Sequence, residues 1–107
     1  MIMYEIEYSP EAIRDLDDVF EDVLTASKDI EITHKYIDGL QDKVDSLVKR
    51  PKTGTPLYYD DLFTGYYSVR FKEYLAFYRL DEAKILVDRI LFRKRDYMRV
   101  LFGIDKD

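Results

Sequence analysis

The sequence predicts an α+β fold: an N-terminal strand, then an antiparallel helical hairpin packed on a small antiparallel sheet (β-α-α-β-β-β), with a short C-terminal helix. Three observations lead there. Apolar residues alternate with period two at the start of the chain and again over 67–92. Between these stretches lie two segments whose apolar residues recur at helical spacing. The breakers gather in one place, Pro51-Lys52-Thr53-Gly54-Thr55-Pro56, after the second helical segment. A length of 107 residues suits one hydrophobic core, so residues 1–107 are read as a single domain.

The first strand is carried by Ile2, Tyr4, Ile6 and Tyr8, separated by mostly polar neighbours. Ser9-Pro10-Glu11 then supplies an N-cap hydroxyl, a proline at the first helical position and an acid facing the positive helix end. On a helical wheel Ile13, Leu16, Phe20, Val23 and Leu24 form the expected buried stripe of the first helix. After a polar break at Thr25-Ala26-Ser27-Lys28, Ile30, Ile37, Leu40, Val44, Leu47 and Val48 form the stripe of a second helix, which Pro51 ends. The stretch from Pro51 to about Tyr66 reads as irregular. Tyr67–Phe71, Tyr74–Leu80 and Ile85–Phe92 read as three consecutive antiparallel strands, and Asp96-Tyr97-Met98-Arg99-Val100-Leu101-Phe102-Gly103 as a capped closing helix.

Composition narrows the function classes. With no Cys there are no disulfides, no thiolate chemistry and no Cys-ligated zinc, and a single His, His34, cannot form an imidazole cluster, so neither a metal nor another cofactor is expected. No apolar run reaches the roughly 20 residues that span a bilayer, and the N-terminus lacks a secretory layout, so a cytoplasmic location and no membrane partner are expected. Charge is unevenly divided: residues 1–50 carry 13 acids and 6 bases, whereas residues 66–99 carry 9 bases and 5 acids. The net charge of −5 therefore hides a basic C-terminal third able to face an anion.

Alternation along the strands assigns candidate binding residues. If Val69 and Phe71 face the helices, Ser68, Arg70 and Lys72 face away, joined on the next strand by Leu75, Phe77 and Arg79. An open face that mixes Arg70 and Arg79 with Leu75 and Phe77 is a candidate partner surface, unless the chain's own C-terminus covers it. Arg93, Lys94, Arg95 and Arg99 extend it as a basic cluster, with Tyr97 beside them. Asp17, Asp18, Glu21 and Asp22 lie opposite the apolar stripe of the first helix and read as a solvated face rather than a metal site.

Tyr8-Ser9-Pro10-Glu11-Ala12 opening the first helix, Leu47 with Pro51 and Gly54 closing the second, Tyr78-Arg79-Leu80-Asp81-Glu82 ending a strand, and Arg89-Ile90-Leu91-Phe92 leading to Arg95-Asp96 occur in a telling order and spacing. In these features the chain resembles the RelE/ParE superfamily of bacterial type II toxin-antitoxin toxins over nearly its whole length. The resemblance implies a growth inhibitor neutralised by a cognate antitoxin, with no small-molecule substrate. It also implies two possible mechanisms. ParE-like members poison DNA gyrase by protein contact; RelE-like members cleave messenger RNA on the ribosome without a metal, through basic side chains and an acid-base group.

For the RelE-like mechanism Arg70 and Arg95 match family positions, and Tyr97 stands in for a tyrosine whose expected place falls on or near Leu101 or Phe102. Two further basic positions of that mechanism fall on Ser68 and Leu75, with Lys72 or Arg79 as the available substitutes. Losing one preorganised charge costs about 10²–10³ in rate, so the resemblance favours the ParE-like, non-enzymatic reading, with the endoribonuclease as the alternative. On that reading Arg70, Leu75, Phe77, Arg79, Arg93, Lys94, Arg95 and Arg99 contact the antitoxin or the target. A third possibility is an inert scaffold that binds the antitoxin without toxicity.

Overall fold

A computed structural model describes residues 3–103. In chain order it contains β1 (Glu5–Tyr8), α1 (Pro10–Ser27), α2 (Ile30–Asp45), β2 (Thr55–Tyr59), β3 (Leu62–Phe71), β4 (Tyr74–Asp81), β5 (Lys84–Phe92) and α3 (Tyr97–Phe102). A 3-10 turn, Ser46–Val48, prolongs α2. The sheet order is β1-β5-β4-β3-β2; β2 to β5 form an antiparallel meander, and β1 joins β5 in parallel from Glu5 opposite Lys84 to Tyr8 opposite Val87. The α+β architecture expected from the sequence is present, with an extra strand and one parallel edge.

The extra strand is β2, in the stretch expected to be irregular. It pairs with β3 from Leu62 to Ser68 through a tight turn in which Asp60 adopts a positive φ of 47°. Its apolar residues do not alternate, and Pro56 lies within it; proline is tolerated there because β2 is an edge strand with a register shift between Pro56 and Tyr58.

Both helices start as their caps dictate. The Ser9 hydroxyl accepts from the Ala12 amide at 2.9 Å, and the Asp29 carboxylate accepts from the Glu31 and Ile32 amides at 2.9 and 3.1 Å. The buried stripes, however, are rotated from those expected. Ala12, Asp15 and Val19 are the buried positions of α1, and Ile13 is 52% exposed; in α2, Thr33, Leu40 and Val44 are buried and Ile30 is exposed. A polar residue sits in each seam, and each is satisfied there. Thr33 donates its hydroxyl to the Asp29 carbonyl at 2.8 Å. The main core joins Ala12, Val19, Leu40, Val44 and Leu47 to Tyr74, Ala76, Tyr78, Ile85, Val87 and Ile90 on one face of the sheet. Each buried Val, Leu or Ile among them contributes about 1.5–3 kcal/mol.

Asp15 is the polar member of the α1 seam. Its carboxylate accepts two hydrogen bonds from the Arg89 guanidinium at 2.8 and 3.0 Å and one from the Ile90 amide at 2.9 Å. That bidentate hydrogen bond holds the Arg89 pKa above its ordinary value, although burial works in the opposite direction.

Tyr78 anchors the loop between the helices and the sheet. Its buried hydroxyl donates to the Pro51 carbonyl at 2.7 Å and accepts from the Gly54 amide at 3.1 Å, while its ring stacks on Tyr67. A Cβ at Gly54 would collide with the Tyr78 hydroxyl and lie 2.9 Å from the Ser68 carbonyl oxygen. Gly54→Ala is therefore expected to destabilise the protein by roughly 1–3 kcal/mol in urea unfolding. Asp15→Ala leaves a mostly buried guanidinium and the Ile90 amide without their acceptor, and its expected cost in the same measurement is about 3 kcal/mol.

Candidate interaction surface

The reverse face of the sheet begins with a bulge in β5. Phe77 lies opposite Arg89 and Tyr78 opposite Val87, so Asp88 is the extra residue. The bulge sends Asp88 and Arg89 different ways. Arg89 reaches Asp15 on α1, whereas the Asp88 carboxylate accepts from Arg79 Nε and the Tyr66 hydroxyl, both at 2.7 Å. Arg79 is thus ion-paired. Burial, followed by the Asp88 hydrogen bond, pushes the Tyr66 hydroxyl up to about 12.

The face expected to be open is partly covered by α3, the outcome the sequence left as the alternative. Asp96 caps α3 by accepting from the Arg99 amide at 3.3 Å, and Gly103 ends it with φ 68°. The Tyr97 ring lies 5.1 Å from that of Phe77, and the Phe102 ring 5.6 Å from that of Tyr66. Phe77 is consequently 1% exposed and does not offer the contact surface drawn for it from the sequence. Leu75, in the adjacent outward position, is half-buried.

The remaining candidate cations lie on β3, on the turn after β5 and on α3. Arg70 is exposed at the end of β3 and donates Nε to the Lys72 carbonyl at 2.8 Å. Arg93 donates Nε to the Glu73 carboxylate at 2.8 Å, and the Arg93 amide donates to the Glu73 carbonyl at the same distance. Lys94 and Arg95 are exposed in the turn after β5, and Arg99 is exposed on α3. Arg95 lines an open cleft of about 280 Å³ beside α1, together with Asp18, Glu21 and Asp22. Arg70, on β3 beside Leu75, is not among the residues lining that cleft. Tyr97, like Arg70, is not among the residues lining that cleft.

His34 is exposed, with its ring edge-on to Phe20 at 5.4 Å. Among the described residues no group of three or more His, Cys, Asp or Glu side chains could hold a metal ion. Among them, too, no helix is long and apolar enough to cross a membrane.

Sequence reasoning missed the partners rather than the cations. Asp88 and Glu73 neutralise Arg79 and Arg93, but a bulge and a cross-strand approach bring them there, and neither is written in a local pattern. The one available signal was Asp88 itself, an acid inside a mostly apolar strand.

With this geometry in place, comparison with known proteins is decisive for the family. The sequence profile of the ParE toxin of the type II toxin-antitoxin system, parDE, matches residues 6–97. The chain belongs to the ParE toxin family. It resembles the RelE/ParE superfamily in structure as well: a chain of the chromosomal ParDE toxin-antitoxin system of P. aeruginosa superposes with a TM-score of 0.72 at 17% identity, covering 86% of this chain and 98% of that one. A chain of the RelBE2 toxin-antitoxin complex of Mycobacterium tuberculosis gives a TM-score of 0.54 at 23% identity over 86% of this chain and all of that one. One from the E. coli DinJ-YafQ toxin-antitoxin complex gives 0.56 at 18% identity, covering 95% of this chain and 100% of that one. No curated protein sequence matches significantly. The fold is common to all three structures, and the sequence profile places this toxin on the ParE side.

Three tyrosines of this ParE-family toxin, Tyr8, Tyr66 and Tyr74, are each pushed up to about 12, first by burial and then by nearby Asp45, Asp88 and Asp22 respectively. A phenol whose pKa is raised in the folded state stabilises the fold fully below its unfolded value near 10 and loses that contribution as pH climbs through 12. Urea midpoints measured between pH 8 and pH 12 should therefore fall above pH 10, and Tyr66→Phe should flatten part of that fall.

Proposed function

We propose that this toxin arrests growth by contacting a target protein, with DNA gyrase the target that the family implies, and that it is neutralised in the cytoplasm by a cognate antitoxin protein. The mechanism rests on one observation above all. Basic positions of the cleaving mechanism fall on Ser68 and Leu75, and the substitute cation Arg79 is held by Asp88. A transition-state clamp requires preorganised cations aimed at one point, and each missing member costs about 10²–10³ in rate. Tyr97, the proposed acid-base stand-in, has its ring against Phe77.

A contact mechanism makes no such demand. It needs exposed charge and apolar surface, which exposed Arg70, Lys94 and Arg99 and half-buried Leu75 can supply. The antitoxin reading is supported by the family, defined as the toxins of type II toxin-antitoxin systems, and by relatives solved within toxin-antitoxin systems.

Induction of the toxin in growing cells, with and without the protein from the neighbouring reading frame, tests both parts. Growth arrest relieved by co-expression is expected, together with inhibition of supercoiling by purified gyrase and unchanged transcript ends. Codon-linked transcript cleavage that is lost in Arg70→Ala or Arg95→Ala would overturn the contact mechanism. No arrest at verified soluble expression would instead favour an inert scaffold.

A further inference from the structure

The β2–β3 hairpin ends in an exposed apolar patch. Tyr58 and Tyr59 on one side of the Asp60-Asp61 turn and Leu62 and Phe63 on the other are between 43% and 73% exposed, a concentration of large apolar side chains that marks an interaction surface. The patch is firmly held. A file of aromatic rings ties it to the core: buried Tyr78 stacks on Tyr67 at 5.5 Å, Tyr67 meets Phe63 at 5.3 Å, and Phe63 meets Tyr58 at 5.8 Å. Rings fixed in this way lose little freedom when a partner covers them.

β2 is also an edge of the sheet, since the strand order ends on it. The opposite edge, β1, carries Glu5 and Glu7 in its short length, the kind of charge that discourages edge pairing, whereas Thr55-Pro56-Leu57-Tyr58-Tyr59 has no charged side chain. The charges of β2 lie at its ends and differ in sign. Exposed Lys49, Arg50 and Lys52 precede it, and exposed Asp60 and Asp61 follow it. None of the five has an ion-pair partner among the described residues. A strand basic at its start and acidic at its end is complementary to an antiparallel copy of itself, because a twofold axis brings the acidic turn of each copy to the basic end of the other. In a register centred on Leu57, Asp60 and Asp61 fall opposite Gly54 and Thr53, beside Lys52. Tyr58 then lies opposite Pro56 and diagonal to the other Tyr58, a distance that aromatic side chains can reach. Pro56 lacks an amide donor and β2 has a register shift, so backbone bonds across this edge are few and the side chains and end charges must supply most of the contact.

We propose that two copies of this chain associate through β2, antiparallel about a twofold axis, with Tyr58, backed by Phe63, at the centre of the contact and Asp60 and Asp61 of each copy against Lys49, Arg50 and Lys52 of the other. Because the axis relating antiparallel neighbours in one sheet stands perpendicular to it, both reverse faces point the same way, and Arg70 and Leu75 are presented twice on one side of a continuous sheet. This association is independent of the toxin's target and of its antitoxin.

Analytical ultracentrifugation of the full chain up to about 1 mM tests the association, and a monomer–dimer equilibrium with a Kd of about 10–100 µM is expected for so short an edge. Two charge variants test its arrangement. Asp60→Asn with Asp61→Lys makes both ends of β2 basic, and Arg50→Glu with Lys52→Glu makes both acidic. Each variant alone should dimerise at least about tenfold more weakly, whereas an equimolar mixture of the two should recover the unmodified strength, because unlike charges then meet at both ends. Far-ultraviolet dichroism checks that each variant is folded. In the unmodified chain, amide exchange in β2 should slow as concentration rises through the dimer range while that in β1 does not. A chain still monomeric at about 1 mM, β2 exchange indifferent to concentration, or a mixture no stronger than its components would overturn the proposal. Dimers that both variants retain at full strength would place the association on another surface and overturn it equally.

Discussion

The geometry of this toxin depends on how α1 is fastened to the edge of β5. β1 pairs with β5 only as far as Tyr8 opposite Val87. Beyond that point the edge is taken over by α1 and its cap. The Ser9 amide donates to the Val87 carbonyl at 2.9 Å, the Ser9 hydroxyl donates to the Asp88 carbonyl at 2.7 Å, and Asp15 accepts from the Ile90 amide. A strand edge that would otherwise expose unpaired donors and acceptors is thereby finished by a helix. The cost of burying the Asp15 carboxylate is offset by its two bonds from Arg89, which is why the pair can occupy the middle of an apolar seam.

Two surfaces follow from this attachment. Because the β5 bulge leaves Asp88 without a cross-strand partner, one residue faces Arg79 and Tyr66 on the reverse side and the next, Arg89, reaches α1. The reverse side is then closed in part by α3, through Tyr97 on Phe77 and Phe102 on Tyr66. On the other side the attachment holds the acidic face of α1 beside the end of β5, where the exposed Asp18, Glu21 and Asp22 line an open cleft with Arg95.

What the sequence showed, and what it hid, divides along physical lines. Ser9-Pro10-Glu11, Asp29 and the stop before Pro51 are local signals whose chemistry acts within a few residues, and the helix limits agree with them. The faces of Val69, Ala76, Tyr78 and Leu80 were legible because alternation in a strand leaves little choice. The rotation of α1 was not, since counting apolar residues cannot place Asp15, whose partners lie more than 70 positions away. β2 was hidden by Pro56 and by exposed Tyr58 and Tyr59, which break the alternation that marks a strand. For the candidate surface, the cations were correctly located in the chain, but their availability depended on Asp88, Glu73 and α3, all determined by tertiary contacts.

Hydrogen exchange at the Ile90 amide tests the attachment most directly, because that proton reports on the Asp15 bond and on nothing else at the β5 edge. The account predicts that Ile90 exchanges as slowly as the buried amides of β4, and that Asp15→Ala speeds it while leaving the central β4 amides comparatively protected. A rapidly exchanging Ile90 in the unaltered protein, or an Ile90 rate indifferent to the loss of the carboxylate, would contradict it.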